Sequence, residues 1–183
     1  MSDTKLQLSL RPSTEDDLPA LMGLDHGYST EYVWQMEVDQ AAPRMGARFR
    51  EMRLPRLMQV AYPRSKQALA ELAPQRSLLL VAEAEGQPVG YAAVTGNLAP
   101  HTAWLTDVVV AASQRRRGVG SRLILGVQAW AREHGHQRLV LEMQTKNHPA
   151  IKLAQKLAFE FAGFNDRYYD NQDIAVFFAK RLA

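Results

Sequence analysis

Apolar and polar residues alternate along the start of the chain. Leu6, Leu8 and Leu10 take every second position and predict a strand that Arg11-Pro12 ends. Ser13 to Asp17 offers helix caps, and Leu18, Leu21 and Met22 continue a short helix. Pro19 places its cap late, at Asp16, because proline is tolerated only in the first turn. Tyr32, Trp34, Met36 and Val38 alternate with Val33, Gln35, Glu37 and Asp39, a strand pattern. Ala41 to Ala47 carries Pro43 and Gly46 and reads as a turn, and Phe49 to Leu54 alternates again, so a hairpin or strand pair is expected. Ser65 to Leu72 predicts a short helix. Ser77 to Glu83 and Pro88 to Thr95 are strands joined by Glu85-Gly86-Gln87.

The second half alternates strand and helix patterns more sharply. Trp104 to Val110 is a β-branched run that reads as a buried strand. Leu123, Ile124, Val127, Trp130 and Ala131 then recur at helical spacing. Gln137 to Thr145 is another apolar strand. Asn147 caps a helix with Pro149 in its first turn and Ala150, Leu153, Ala154, Leu157 and Ala158 on one face. Phe159 to Phe164 and Ile174 to Phe178 supply two last strands. The pattern predicts a mixed α/β domain with a mostly antiparallel sheet.

At 183 residues the chain fits one domain, 1–183, large enough to bury a core. It has no cysteine, which removes disulfides, thiol nucleophiles and cysteine metal sites and is compatible with the cytoplasm. Five histidines lack metal-ligand spacing, so no metal is expected. No apolar run reaches membrane-spanning length, and Met1 to Lys5 has no hydrophobic signal core. The net charge of +3 attracts anions without choosing among them.

The candidate anion site is Arg115-Arg116-Arg117-Gly118-Val119-Gly120-Ser121, a glycine-bearing turn between a strand end and a helix start. Glycine permits positive φ, and the free N–H groups of a helix's first turn favour a bound phosphate. No Gly-Lys-Ser/Thr follows, and Leu123 stands where a dinucleotide fingerprint needs glycine. Arg115, Gly118 and Gly120 fill the pattern Arg-x-x-Gly-x-Gly. With the elements that follow, this resembles the acetyl-coenzyme A signature of the GNAT superfamily of N-acetyltransferases, over roughly residues 103–181. The run Leu141-Glu142-Met143-Gln144-Thr145-Lys146-Asn147 is most similar to the streptothricin acetyltransferase branch, and its Leu-Glu and Asn also to the ribosomal-protein alanine acetyltransferases.

The resemblance implies a twisted, mostly antiparallel sheet of roughly six to seven strands flanked by about four helices, splayed beside the phosphate turn. It implies acetyl-CoA as co-substrate. Residues 116–121, with Arg115, would hold the pyrophosphate; Val108, Val109 and Val110 would pair their backbone with the pantetheine arm, the Val110 N–H serving as oxyanion donor; Asn147 would contact the same arm. Each has a plainer reading: a solvated basic loop, a core strand, a helix cap. Glu142 matches the family's general base, and partial burial would suit it to that work; it could equally face solvent. Asp107 could act as a base through water, bind a cationic substrate, or be a strand-end carboxylate. Family members often carry a tyrosine acid in the second helix, but this chain has Ala154 there. Tyr168 and Tyr169 are the nearest substitutes, or they are rim packing. Tyr28, Tyr32, Trp34 and Tyr62 fall in the variable region, about 28–74. With Glu31, Glu37 and Asp39 they could receive a cationic amine, or they pack a hairpin.

The expected activity is acetyl transfer to a primary amine by direct reaction in a ternary complex. The acceptor is a small molecule or, alternatively, a protein N-terminus or lysine. A non-catalytic coenzyme A sensor and a basic nucleic-acid-binding protein are the rival readings, though no nucleic-acid motif appears. No membrane partner is expected, and pairing with a second copy is left open.

Overall fold

The computed structural model describes residues 7–39, 41, 43, 46–96 and 98–182. Leu6, and Ala42, Arg44 and Met45 of the expected turn, lie outside them. In chain order the elements are β1 Leu8–Pro12, α1 Leu18–Gly23, β2 Tyr28–Asp39, β3 Gly46–Val60, α2 Lys66–Leu72, β4 Leu78–Ala84, β5 Gln87–Thr95 and β6 Thr102–Val110. Then follow α3 Val119–Glu133, β7 Arg138–Gln144, α4 His148–Lys156, β8 Glu160–Asn165 and β9 Ala175–Arg181.

Seven strands form one sheet in the order β1-β4-β5-β6-β7-β9-β8, and β2 pairs with β3 apart from it. Only β6 and β7 run parallel. This is the mixed, mostly antiparallel architecture expected. The run from Leu78 to Ala82 explains itself: it is buried on both faces of a central strand. Leu78, Leu80 and Ala82 pack toward α3, while Leu79 and Val81 pack with Leu21 and Leu69 of α1 and α2. The stripe of α3, Val119, Leu123, Ile124, Val127 and Ala131, lies buried on the first face. Truncating one such leucine to alanine costs about 2–5 kcal/mol.

Two local expectations are corrected. The first helix starts at Leu18 with Asp17 as its cap, after a short 3-10 turn over Glu15–Asp17. The Asp17 carboxylate is committed elsewhere: the two terminal nitrogens of the Arg11 guanidinium donate to it, at 2.7 and 2.8 Å. That hydrogen-bonded pairing, with the Thr14 N–H, holds its carboxyl well below the usual range. Strand β3 does not stop at Leu54 but runs through Pro55 to Val60. Arg53 pairs with Tyr32 and Met58 with Thr30, so Leu54 to Leu57 bulge out opposite Glu31 alone. Proline, without an N–H, is accommodated in such an unpaired stretch.

The feature that positions the site is a split. Pairing between β6 and β7 runs from Thr102–Arg138 to Leu105–Leu141 and ends there. Yet β6 stays on β5 to Val110, and β7 stays on β9 to Gln144. The split opens at a bulge: Leu105 opposes Val94, Asp107 opposes Ala93, and Thr106 is the extra residue. The Thr106 hydroxyl oxygen lies 3.2 Å from the Ala93 carbonyl, beside the disturbed ladder. Among the described residues no helix is long and apolar enough to cross a membrane, and none form a group of three or more histidines, cysteines or acids placed to hold a metal.

Candidate active site

The backbone of β6 turns polar groups into the split. The Ala111 N–H donates to the Val89 carbonyl at 2.8 Å, and Val110 lies opposite Gly90. In an antiparallel pair this phase makes Val109 and Tyr91 exchange bonds and leaves the N–H and C=O of Val108 and Val110 facing away from β5. Beyond Leu105 no β7 partner stands on that side. The Val110 carbonyl accepts Arg115 Nε at 2.9 Å. The Val109 side chain is buried with Leu21 and Tyr91, whereas Val108 and Val110 pack toward α3.

The turn after β6 has the expected form. Gly118 caps α3 with φ +86° and no atom near where a Cβ would stand, and Arg116 also has positive φ, +63°. The first N–H groups of α3 have no partner within the helix and suit an anion. Arg116, Arg117 and Gly118 are exposed, Ser121 is half-buried, and Val119 is core. Arg115 serves the scaffold: besides Val110 it donates to the Asp25 carbonyl at 2.6 Å. Arg117 donates to Gln114 at 2.9 Å. At Gly120 a Cβ would lie 3.2 Å from Leu153 Cδ2, so this glycine permits the close approach of α3 and α4. Asn147 caps α4, its side-chain oxygen accepting the Ala150 N–H at 3.2 Å.

Across the split lie the two carboxylates. Asp107 and Glu142 come from different strands and are both buried, with side chains 3% and 1% exposed. The guanidinium of Arg64 joins them, contacting Asp107 Oδ1 at 3.3 Å and Glu142 Oε1. Asp107 is also held by Arg76 at 3.0 Å, the Tyr62 hydroxyl at 2.6 Å and the Thr106 hydroxyl at 2.7 Å. Burial disfavours charge there, but the Arg64 and Arg76 guanidiniums and those hydroxyls outweigh it and hold the Asp107 carboxyl below the usual range. It is therefore no strand-end carboxylate.

Glu142 accepts from Trp104 Nε1 at 3.0 Å and from the Tyr168 hydroxyl at 2.9 Å on its second oxygen. It neither faces solvent nor stands alone in an apolar pocket: three donors converge on it. Tyr168 is partly exposed; burial and then the Glu142 charge push its phenol up to about 12. Tyr169 is buried, with the Arg64 guanidinium 5.3 Å from its ring centre. Ala154 is fully buried in the α3 face of the core.

The aromatic residues of the hairpin separate. The Tyr28 hydroxyl donates to Gln144 at 2.9 Å, and Gln144 donates to Asp173 at 2.6 Å. Tyr32 stacks on His148 at 4.9 Å, beside Asn147. Trp34 packs against the core, and its backbone N–H donates to the Thr145 carbonyl at 3.0 Å, tying β2 to the end of β7. A surface hollow of about 580 Å³ along Leu54 to Gln59 shares no residue with the carboxylate cluster. Arg64, Arg76, Thr106 and Trp104 escaped the sequence reading. Arg64 sits in an irregular segment between β3 and α2, where no periodic pattern marks a site residue.

Residues 46–159 match the family model described as the acetyltransferase (GNAT) family. A streptothricin acetyltransferase of Streptomyces lavendulae is 28% identical over 165 residues, 87% of this chain and 85% of that protein. The crystal structure of a nourseothricin acetyltransferase shares the fold with TM-score 0.81 at 24% identity, covering 96% of this chain and 99% of that one. A Bacillus anthracis protein described as a candidate streptothricin acetyltransferase, solved in complex with acetyl coenzyme A, matches with TM-score 0.75 at 20% identity, over 98% and 100% of the two chains. With the split sheet and the glycine turn at the start of α3, these likenesses lead to one conclusion: the chain belongs to the acetyltransferase (GNAT) family and is an N-acetyltransferase.

Proposed function

We propose that this enzyme moves the acetyl group of acetyl-CoA to a primary amine of a small molecule, in a ternary complex, with Glu142 as the base. The observation that carries the reading is the buried Asp107–Glu142 pair on the flank of the split between β6 and β7. The residues present fit coenzyme A. The N–H groups at 116–121 suit its pyrophosphate, and the outward-turned backbone of Val108 and Val110 suits an amide-bearing arm. The Asn147 side-chain oxygen caps α4, so its amide nitrogen is the group left for that arm.

Acetyl-CoA supplies an activated acyl carbon and a sulfur leaving group. The chain's own groups do the rest. The Val110 N–H is aimed to meet the carbonyl oxygen as it gains charge. Glu142 takes a proton from the ammonium, freeing the nitrogen lone pair to bond to the acyl carbon as the carbon–sulfur bond breaks. Of the two protons the nitrogen sheds, one leaves to solvent through Glu142 and one ends on the sulfur. Tyr168 is the hydroxyl we assign to that last transfer in place of Ala154, since it reaches the Glu142 carboxylate at 2.9 Å and, like any tyrosine, is protonated at neutral pH. A streptothricin-type amine is the acceptor that the Streptomyces lavendulae relative favours.

The test is release of free thiol from acetyl-CoA across a panel of small amines and peptides. Small primary amines should turn over and extended peptides should not; the reverse order would move the acceptor to protein. Glu142→Gln should lower kcat/KM by roughly a hundredfold or more. Undiminished turnover would take Glu142 out of the mechanism.

A further inference from the structure

We propose that Arg64 is a resident cation of the acceptor site, and that a cationic amine reaches Glu142 by changing places with it. This rests on the reading of Glu142 as the base.

The Glu142 side chain is 1% exposed, and Arg64, Trp104 and Tyr168 occupy its two oxygens. A base must come within hydrogen-bond reach of the nitrogen it deprotonates, so one of the three must leave. Trp104 is fixed in β6, its ring 5.2 Å from Phe177. Tyr168 is wedged between rings, 5.1 Å from Tyr169 and 5.8 Å from Phe177. Arg64 comes from residues 61–65, which form neither strand nor helix, and is 22% exposed. Solvent reaches Tyr168 as well, at 38%, but only Arg64 carries the charge that an incoming cation would replace like for like.

Its withdrawal takes one donor, at 3.1 Å, from the Thr106 carbonyl but leaves the buried charge of Asp107 paired. Asp107 keeps Arg76, Tyr62 and Thr106. The charge count then selects the visitor. Two carboxylates and two guanidiniums sum to zero; without Arg64 the cluster is left at −1 in a buried place, and a cation restores neutrality without protonating a carboxylate, which would disable the base. The Tyr169 ring, now under Arg64, gives the incoming ammonium a second favourable surface. The acceptor class is thus a primary amine that arrives protonated; neutral and anionic amines cannot complete the exchange.

Arg64→Ala and the volume-preserving Arg64→Met test this, with Arg64→Lys as the conservative variant. If Arg64 competes with the substrate, both truncations lower KM for a cationic primary amine by about tenfold, and Arg64→Lys restores the higher value. Affinity for acetyl-CoA, measured by calorimetry, stays unchanged. Methylguanidinium at millimolar concentration inhibits Arg64→Ala competitively with the amine and raises its Tm, and does neither to the wild type. A KM that rises or stays the same in both truncations, with methylguanidinium silent on the Tm of Arg64→Ala, overturns the proposal. So does failure of both truncations to fold, which would make Arg64 a structural pillar. If the wild type binds acetyl-CoA yet acetylates no amine, the base reading fails by itself. The thermal shift then decides: selective stabilisation of Arg64→Ala upholds the resident cation, and its absence refutes it.

Discussion

Asp107→Asn removes one charge and almost no volume, and the structure says what that charge holds. Its partner Arg76 has a side chain only 5% exposed, 3.0 Å from the carboxylate. Arg76 retains the Thr106 hydroxyl at 2.7 Å, but among the described residues no other carboxylate is paired with it. Breaking a buried ion pair from one side costs about 3–5 kcal/mol, chiefly from the charge left behind. Tyr62 can still donate to the asparagine oxygen, so its bond adds little to the loss. Against a total stability of about 5–15 kcal/mol the variant should fold, but with its urea midpoint lowered by roughly 2 M. The pH dependence gives an independent check. Because the folded pKa of Asp107 is depressed, its contribution is fully present above the ordinary carboxylate value, near pH 4, and is lost as pH falls through the folded value. The stability gap between wild type and variant should be flat from about pH 5 to 8 and shrink in stronger acid. Urea melts at several pH values measure it. A loss below about 1 kcal/mol, or a gap that widens on acidification, would refute the assignment of Asp107 as the charged anchor of this cluster.

Gly118→Ala forces φ near +86° on a residue with a Cβ and should destabilise the protein by about 1–2 kcal/mol; calorimetry should also show weaker acetyl-CoA binding. An unaltered affinity would remove the cradle role. It is a cleaner probe than Gly120→Glu, which also strikes Leu153 between α3 and α4. Tyr168→Phe leaves Glu142 with Trp104 and Arg64, so the fold should hold, while kcat falls about tenfold or more with little change in KM. Undiminished turnover would leave the departing sulfur to another proton source.

Much of the fold was legible because its signals are local. The apolar run at 78–82, the stripe from Leu123 to Ala131 and the Asn147 cap each encode their own surroundings. The glycine turn was legible for the same reason: Gly118 declares its backbone angle in the chain itself. Arg64 was not. It meets residues 43 and 78 positions away, and nothing in Tyr62-Pro63-Arg64-Ser65 announces either. Pro55 misled in the opposite sense, since a proline normally ends a strand and here a bulge removes the need for its N–H. Glu142 was legible as a residue type out of place in an apolar strand, but its three donors come from β6, from the segment after β3 and from the approach to β9.

Those three donors also bear on how the two substrates can meet. Leu141 and Met143 face the α3 side of the sheet, so Glu142 between them faces the other, as Asp107 does beside Val109. The phosphate turn begins α3, on the first side. An intact sheet would separate a cofactor gripped there from an amine held at the carboxylates. The bulge at Thr106 and the lost pairing after Leu105 remove that wall where the backbone of Val108 and Val110 is free to bond. On the proposed reading, acyl donor and amine would face one another through the split, the arrangement that direct transfer requires. The Thr106 hydroxyl lies 2.7 Å from Asp107, so the residue whose bulge opens the sheet also orients the charge beside it.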